Sequence, residues 1–126
     1  NLQRILMEDK KQLRIRILFG QEIAMGPGKL SLLRAILDTG SISAAARQMS
    51  MSYRRAWLLV DTMNRCFQKP LVAASPGGKG GGGATVTEFG RLVMDTYENM
   101  EGKATEAVRQ EIKEFSHLLS PPTKQQ

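Results

Sequence analysis

Between Ser41 and Phe67 the sequence encodes two helices with almost no chain between them, and this pairing limits the possible folds more than any other feature. The stretch SISAAARQMS is short and carries Ala44, Ala45 and Ala46, whose small side chains let another helix approach closely. Ser41 and Ser43 are both suited to cap it, because a serine hydroxyl accepts a hydrogen bond from a free amide of the first turn. Ser50 and Met51 make a tight connection, and Ser52 is placed to cap a longer helix from Tyr53 to Phe67. There Tyr53, Ala56, Trp57, Val60, Met63 and Phe67 recur at the i, i+3, i+4, i+7 spacing of one apolar face, with Trp57 expected as its core anchor. Arg54, Arg55, Asp61, Thr62 and Arg65 fall largely away from that face.

The flanking sequence supplies the remaining elements. In QLRIRILF, Leu13, Ile15, Ile17 and Phe19 alternate with Gln12, Arg14 and Arg16, which predicts a half-buried strand over 12–19 closed by Gly20. Gly26-Pro27-Gly28 is a turn, and Pro27 suits a helix start, where a missing N–H costs nothing. The helix that follows carries an apolar stripe of Leu30, Leu33, Ile36 and Leu37 and stops at Gly40. Pro70 ends the third helical region. Leu71 to Ser75 and Ala84 to Thr87 are short strand candidates around PGGKGGGG, a glycine-rich tip carrying Lys79. Thr87 caps a last helix over 88–119, with Glu88 at its positive end. Its seam of Val93, Tyr97, Met100, Ala104, Val108, Ile112, Phe115 and Leu119 changes step near Gly102, where a kink is expected. A helix of that length reaches about 48 Å, more than so small a core can cover, so the seam calls for a second copy of the chain.

Strand, helix, helix, helix, hairpin, helix is the order of a winged helix-turn-helix: an α+β fold, mostly α, with a long C-terminal dimerisation helix. The expected organisation is an N-terminal extension over 1–11, the winged domain over 12–87, the dimerisation helix over 88–119 and a tail over 120–126. Charge placement supports the roles of these parts. Residues 41–79 hold Arg47, Arg54, Arg55, Arg65, Lys69 and Lys79 against Asp61 alone, whereas 88–119 hold more carboxylates than cations. A cationic middle is the footprint of a polyanionic partner. Arg54 and Arg55 lie at the start of the second helix of the pair, where free N–H groups favour phosphate and a guanidinium can fork onto guanine. Tyr53 beside them suits either a phosphate contact or packing. Arg47 can reach the backbone of a duplex from the supporting helix, and Lys79 marks the wing tip.

Catalysis finds no support. The glycine-rich stretches do not match the phosphate-loop pattern, since Leu30 follows Gly28-Lys29 and Gly80 follows Lys79. His117 and Cys66 are the only histidine and cysteine, too few for a metal centre, so no metal or cofactor is expected. Cys66 reads as a small buried apolar residue and His117 as a charge that suits a helix C-terminus. The single cysteine fits a reducing cytoplasm, and with no export signal and no long apolar run read in the sequence a cytoplasmic chain off the membrane is expected.

Two segments, GPGKLSLLRAILDTGSISAAARQMSMSYRRAWLLVDTMNR and KPLVAASPGGKGGGGATVTEFGRLV, together resemble the DNA-binding domain of the molybdate-responsive regulators of the ModE family, cousins of the LysR-type winged helix. The resemblance runs over about residues 10–100. It implies a homodimer held by N-terminal strand and C-terminal helix contacts, bound to a two-fold-related operator in double-stranded DNA. It assigns DNA contacts to Ser43, Ser52, Tyr53, Arg54, Arg55 and the wing. The family continues into strand-rich molybdate-binding domains, for which 126 residues leave no room. Molybdate binding by this chain is therefore not expected, and a regulator lacking the sensor is favoured over a fragment of a longer one. Two rivals stand beside this reading: a protein-interaction module built on the same fold, and a stand-alone oxyanion sensor.

Overall fold

The computed structural model describes residues 13–76 and 82–121. The N-terminal extension, Gln12, Lys79 with much of the glycine run, and the tail beyond Pro121 lie outside the described residues. The chain divides into two compact units, 15–98 and 1–14 with 99–126.

The larger unit begins with a hairpin of β1 (Ile17–Phe19) and β2 (Glu22–Met25), paired antiparallel with Phe19 opposite Glu22. Gly20 takes a left-handed φ of 63° in its two-residue loop, a conformation that favours glycine. This corrects the strand expected over 12–19. Alternate burial does hold from Leu13 to Ile17, but only Ile17–Phe19 pairs, because β2 is too short to pair further back. At the tip the pattern fails: Phe19 is 63% exposed. The β2 segment carries no clean alternation, and the sequence reading missed it.

Helix α1 (Pro27–Thr39) starts with its proline in the first turn and ends at Gly40, whose left-handed φ of 78° lets its N–H reach the Ile36 carbonyl. Leu30, Leu33 and Ile36 are buried as the stripe predicts, joined by Leu32 and Ala35. Leu37 is exposed instead. Helix α2 (Ile42–Gln48) is capped by Ser41, which accepts from the Ala44 N–H at 3.0 Å. Helix α3 (Tyr53–Cys66) is capped by Ser52, which accepts from the Arg55 N–H at 3.1 Å. α1 packs on both, and its wider buried face reflects those two neighbours and the hairpin that follows.

That hairpin joins β3 (Val72–Ser75) to β4 (Gly83–Val86), with Val72 opposite Val86 and Ser75 opposite Gly83. Two ties set its place. The Ala84 N–H donates to the Gly40 carbonyl at 2.8 Å, and Asn64 of α3 clasps the start of β3. The Asn64 side-chain oxygen accepts from the Leu71 and Val72 amides at 2.8 and 3.2 Å, while its amide donates to the Val72 carbonyl at 3.1 Å.

Helix α4 (Glu88–Ala107) is capped by Thr87, which accepts from the Gly90 N–H at 2.9 Å and donates to the Pro70 carbonyl at 2.7 Å. Helix α5 (Arg109–Ser116) follows after a break at Val108. The kink expected at Gly102 is thus displaced, since Gly102 lies inside α4. The final helix also stops short of 119 at Ser116, where the Ser116 hydroxyl turns back to the Lys113 carbonyl at 2.6 Å. None of the described helices is long and apolar enough to cross a membrane.

Gly90 and Gly102 offer a clean contrast. A Cβ at Gly90 would overlap the Leu71 carbonyl oxygen and lie 2.9 Å from Val86 Cγ1, whereas one at Gly102 meets open space. Helix propensity alone favours alanine at both by about 1 kcal/mol. At Gly90 the obstruction is backbone, which cannot rotate away, so overpacking wins. Gly90→Ala is expected to destabilise the chain by about 1–3 kcal/mol. Gly102→Ala should instead raise the melting temperature, and thermal denaturation of the two variants reads both signs.

Candidate nucleic-acid interface

α3 turns a face to solvent that differs from the one its periodicity suggests. Its buried residues are Ala56, Val60 and Met63, with Leu59 and Phe67 partly covered. Tyr53 and Trp57 are 55% and 46% exposed. Trp57 is therefore not the core anchor expected. At 100° per residue it sits a quarter-turn away from Ala56, on the flank of the helix. Alanine, not tryptophan, occupies the close contact with α1 and α2.

That flank faces an open groove of about 650 Å³ between α2, α3 and the β3–β4 hairpin. Ser43, Arg47, Tyr53 and Trp57 line one wall, and Ala73, Ala74 and Gly82 to Ala84 the other. Among the described residues the lining contains no carboxylate, and Arg47 is its only charged member. Arg47 donates to the Ser43 hydroxyl at 3.0 Å, which holds its guanidinium along the outer side of α2. The structure thus gathers three of the predicted DNA contacts, Ser43, Arg47 and Tyr53, into one groove. Ser52, Arg54 and Arg55 lie outside the lining, on the exposed first turn of α3.

The cationic segment is not uniform. Arg65 donates to Asp61 at 3.0 Å and faces Glu22 at 3.4 Å, and Lys69 lies 5.9 Å from the centre of the Phe89 ring. Those charges are partly satisfied at home. Arg54 and Arg55 are exposed and make no side-chain hydrogen bond or ion pair among the described residues. Lys29, half-buried at the start of α1, lies near enough to Cys66, Glu22 and Arg55 to feel their charges. Burial pushes its ammonium pKa down and nearby Arg55 adds to that, while Cys66 and Glu22 pull it back up. Sequence reasoning left Lys29 in its turn, and only its position relative to Arg55 singles it out. Asn64 was missed for a related reason: nothing in a late helical asparagine announces that it will hold a hairpin.

Cys66 is half-buried, not fully buried as expected, with its sulfur 3.6 Å from the Glu22 carboxylate. Burial first, then the hydrogen bond to Glu22, pushes the thiol pKa up, while Arg65 and Lys29 pull it back down. His117 is exposed at the C-terminus of α5, as expected.

The seam proposed for dimerisation is divided by the fold. In the larger unit Val93 packs against the core, and Tyr97 is only 3% exposed, its hydroxyl donating to the Ile15 carbonyl at 2.6 Å. Tyr97 is thus a core residue of its own chain and not part of a free seam. In the other unit Met100 is exposed and Ala104 half-buried. Val108, Ile112, Phe115 and Leu119 line one apolar groove of about 400 Å³ together with Leu13.

A tri-helical core, a short connection between α2 and α3, an exposed first turn on α3 and a β hairpin alongside are the parts of a winged helix-turn-helix. The family model of bacterial regulatory helix-turn-helix proteins of the lysR family matches residues 28–91. The chain belongs to that family. The matched segment of this lysR-family chain runs from the first turn of α1 through the hairpin to the first turn of α4. The chain is 43% identical over 84 residues to the molybdenum-pterin-binding protein MopA of Rhodobacter capsulatus, covering 67% of this chain and 32% of the relative. MopB of the same organism is 48% identical over 77 residues, covering 61% and 28%. The DNA-binding transcriptional dual regulator ModE of Escherichia coli K12 is 38% identical over 78 residues, covering 62% and 30%. This lysR-family chain therefore spans between 28% and 32% of the length of these relatives.

Proposed function

We propose that this chain is a sequence-specific transcriptional regulator that binds double-stranded DNA as a homodimer. One observation carries the reading: among the described residues, Arg54 and Arg55 stand exposed and unpaired on the first turn of α3, beside a groove lined by no carboxylate. The N-terminal end of a helix draws phosphate through its free N–H groups and its dipole. A guanidinium there can also form two hydrogen bonds to guanine O6 and N7 in the major groove. Ser52, Tyr53, Ser43 and Arg47 contact the sugar–phosphate backbone around this reading head, and Lys79 does so from the wing. Such a protein works in the cytoplasm, where the bacterial chromosome lies. It needs no catalytic group.

Dimerisation places two reading heads on one duplex. The apolar groove of Val108, Ile112, Phe115 and Leu119 is the surface best suited to a second copy. Met100 and Ala104 extend it. Relatives named for molybdenum or its pterin form make genes of molybdenum or another oxyanion the regulated class we favour. Selection from a random-sequence duplex pool tests the reading. The expected winner contains two related half-sites about one DNA turn, roughly 34 Å, apart or a multiple of it. A pool that shows no enrichment would defeat the proposal.

A further inference from the structure

Trp57 is the feature of this surface that the charge argument leaves unused. It is the only tryptophan in the chain, and nearly half of it is open to water on a helix flank shared with Tyr53. Packing does not demand it there, since Ala56, Val60 and Met63 already fill the buried side of α3. The wall opposite is built from alanine and glycine, so its backbone stands back and leaves the groove wide. The charges around the groove commit it to one occupant. Arg47 lies within it, Arg54 and Arg55 lie on the adjoining turn, and among the described residues no carboxylate lines it, so it complements a polyanion.

Among polyanions, duplex DNA presents one apolar group in its major groove, the C5-methyl of thymine. We infer that Trp57 is a further specificity-determining residue, an apolar surface that meets a thymine methyl when α3 lies in the major groove. The inference rests on the DNA-binding reading above and adds to it a base and a residue. Tyr53, one turn earlier on the same flank, extends the apolar surface and turns its hydroxyl toward the backbone of the duplex.

The experiment uses the unmodified chain and a fluorescently labelled duplex taken from the pool selection. Anisotropy of the label reports binding, and tryptophan emission reports the environment of Trp57 alone. The two signals are expected to change together. Each thymine is then replaced singly by uracil, which lacks only the methyl group. One replacement should weaken binding about three- to fivefold, the value of one buried methyl. Trp57→Ala should bind thymine and uracil duplexes equally, and Trp57→Phe should keep a reduced difference. Sensitivity to uracil that is absent, or that persists in Trp57→Ala, would overturn the inference. So would tryptophan emission that stays constant while anisotropy reaches saturation, a result that needs no variant to fold. Anisotropy that never rises with any duplex would overturn the DNA reading itself, and this inference with it.

Discussion

Replacing Arg54 and Arg55 together with alanine should abolish the preference for the selected duplex over an unrelated one of equal length. Each bidentate arginine–guanine contact contributes about 1–3 kcal/mol of discrimination. Two such residues per chain, and two chains per site, make a loss on the order of a thousandfold or more. The fold should survive. Both side chains are exposed and lack a hydrogen bond or ion pair among the described residues, and surface changes of that kind move stability by only about 0.5 kcal/mol. Alanine is also a good helix former at both positions. Arg65→Ala is the matched control: it too is exposed, but it is engaged with Asp61 and Glu22 and should leave discrimination intact. A mobility-shift assay in which the double variant still prefers the selected duplex would defeat the assignment of these residues.

The second large effect is on salt. Apart from Arg54 and Arg55, which are assigned to bases, Arg47 is the cation of the described helical pair that is not held in an ion pair, and the free amides at the helix starts add further phosphate contacts in each chain of a dimer. With about six phosphates neutralised per dimer, affinity should fall on the order of a thousandfold between 50 and 200 mM salt. Phosphate-bound cations are replaced on release by condensed counterions, so the logarithm of affinity should fall linearly with the logarithm of salt. Removing Arg47 should flatten the slope by about one phosphate per chain while leaving sequence preference in place. A protein-interaction module with an idle basic face would show weak, nearly salt-independent association with any duplex. A flat slope in the anisotropy titration would therefore favour that rival.

These predictions depend on features that were legible in the chain to different degrees. Caps and stops were local, and they read well. Ser41, Ser52 and Thr87 each satisfy an amide three residues on, and Gly40 takes the left-handed conformation that ends α1. The alternation of Leu13, Ile15 and Ile17 was also visible, but the extent of β1 was not, because its partner β2 sets how many residues can pair. The last helix shows the same division. Its apolar spacing was plain, yet Tyr97 lies in the core because the Ile15 carbonyl comes within reach of its hydroxyl, a contact 82 residues apart in sequence. The break at Val108 instead of Gly102 has no signature in residue type, since valine there carries no helix-breaking chemistry.

Sequence by itself determined the order of elements, the tight connection between α2 and α3, the glycine stops and the presence of arginines at the first turn of α3. Each follows from interactions within a turn or two of chain, where identity and spacing are sufficient. Tertiary structure alone decided which side of α3 is buried. Periodicity defines an apolar stripe wide enough to hold both Ala56 and Trp57, and only the closeness of α1 and α2 selects the smaller residue for the contact. That choice turns Trp57 outward and, with Asn64 holding the hairpin alongside, makes a groove where the sequence had indicated a core.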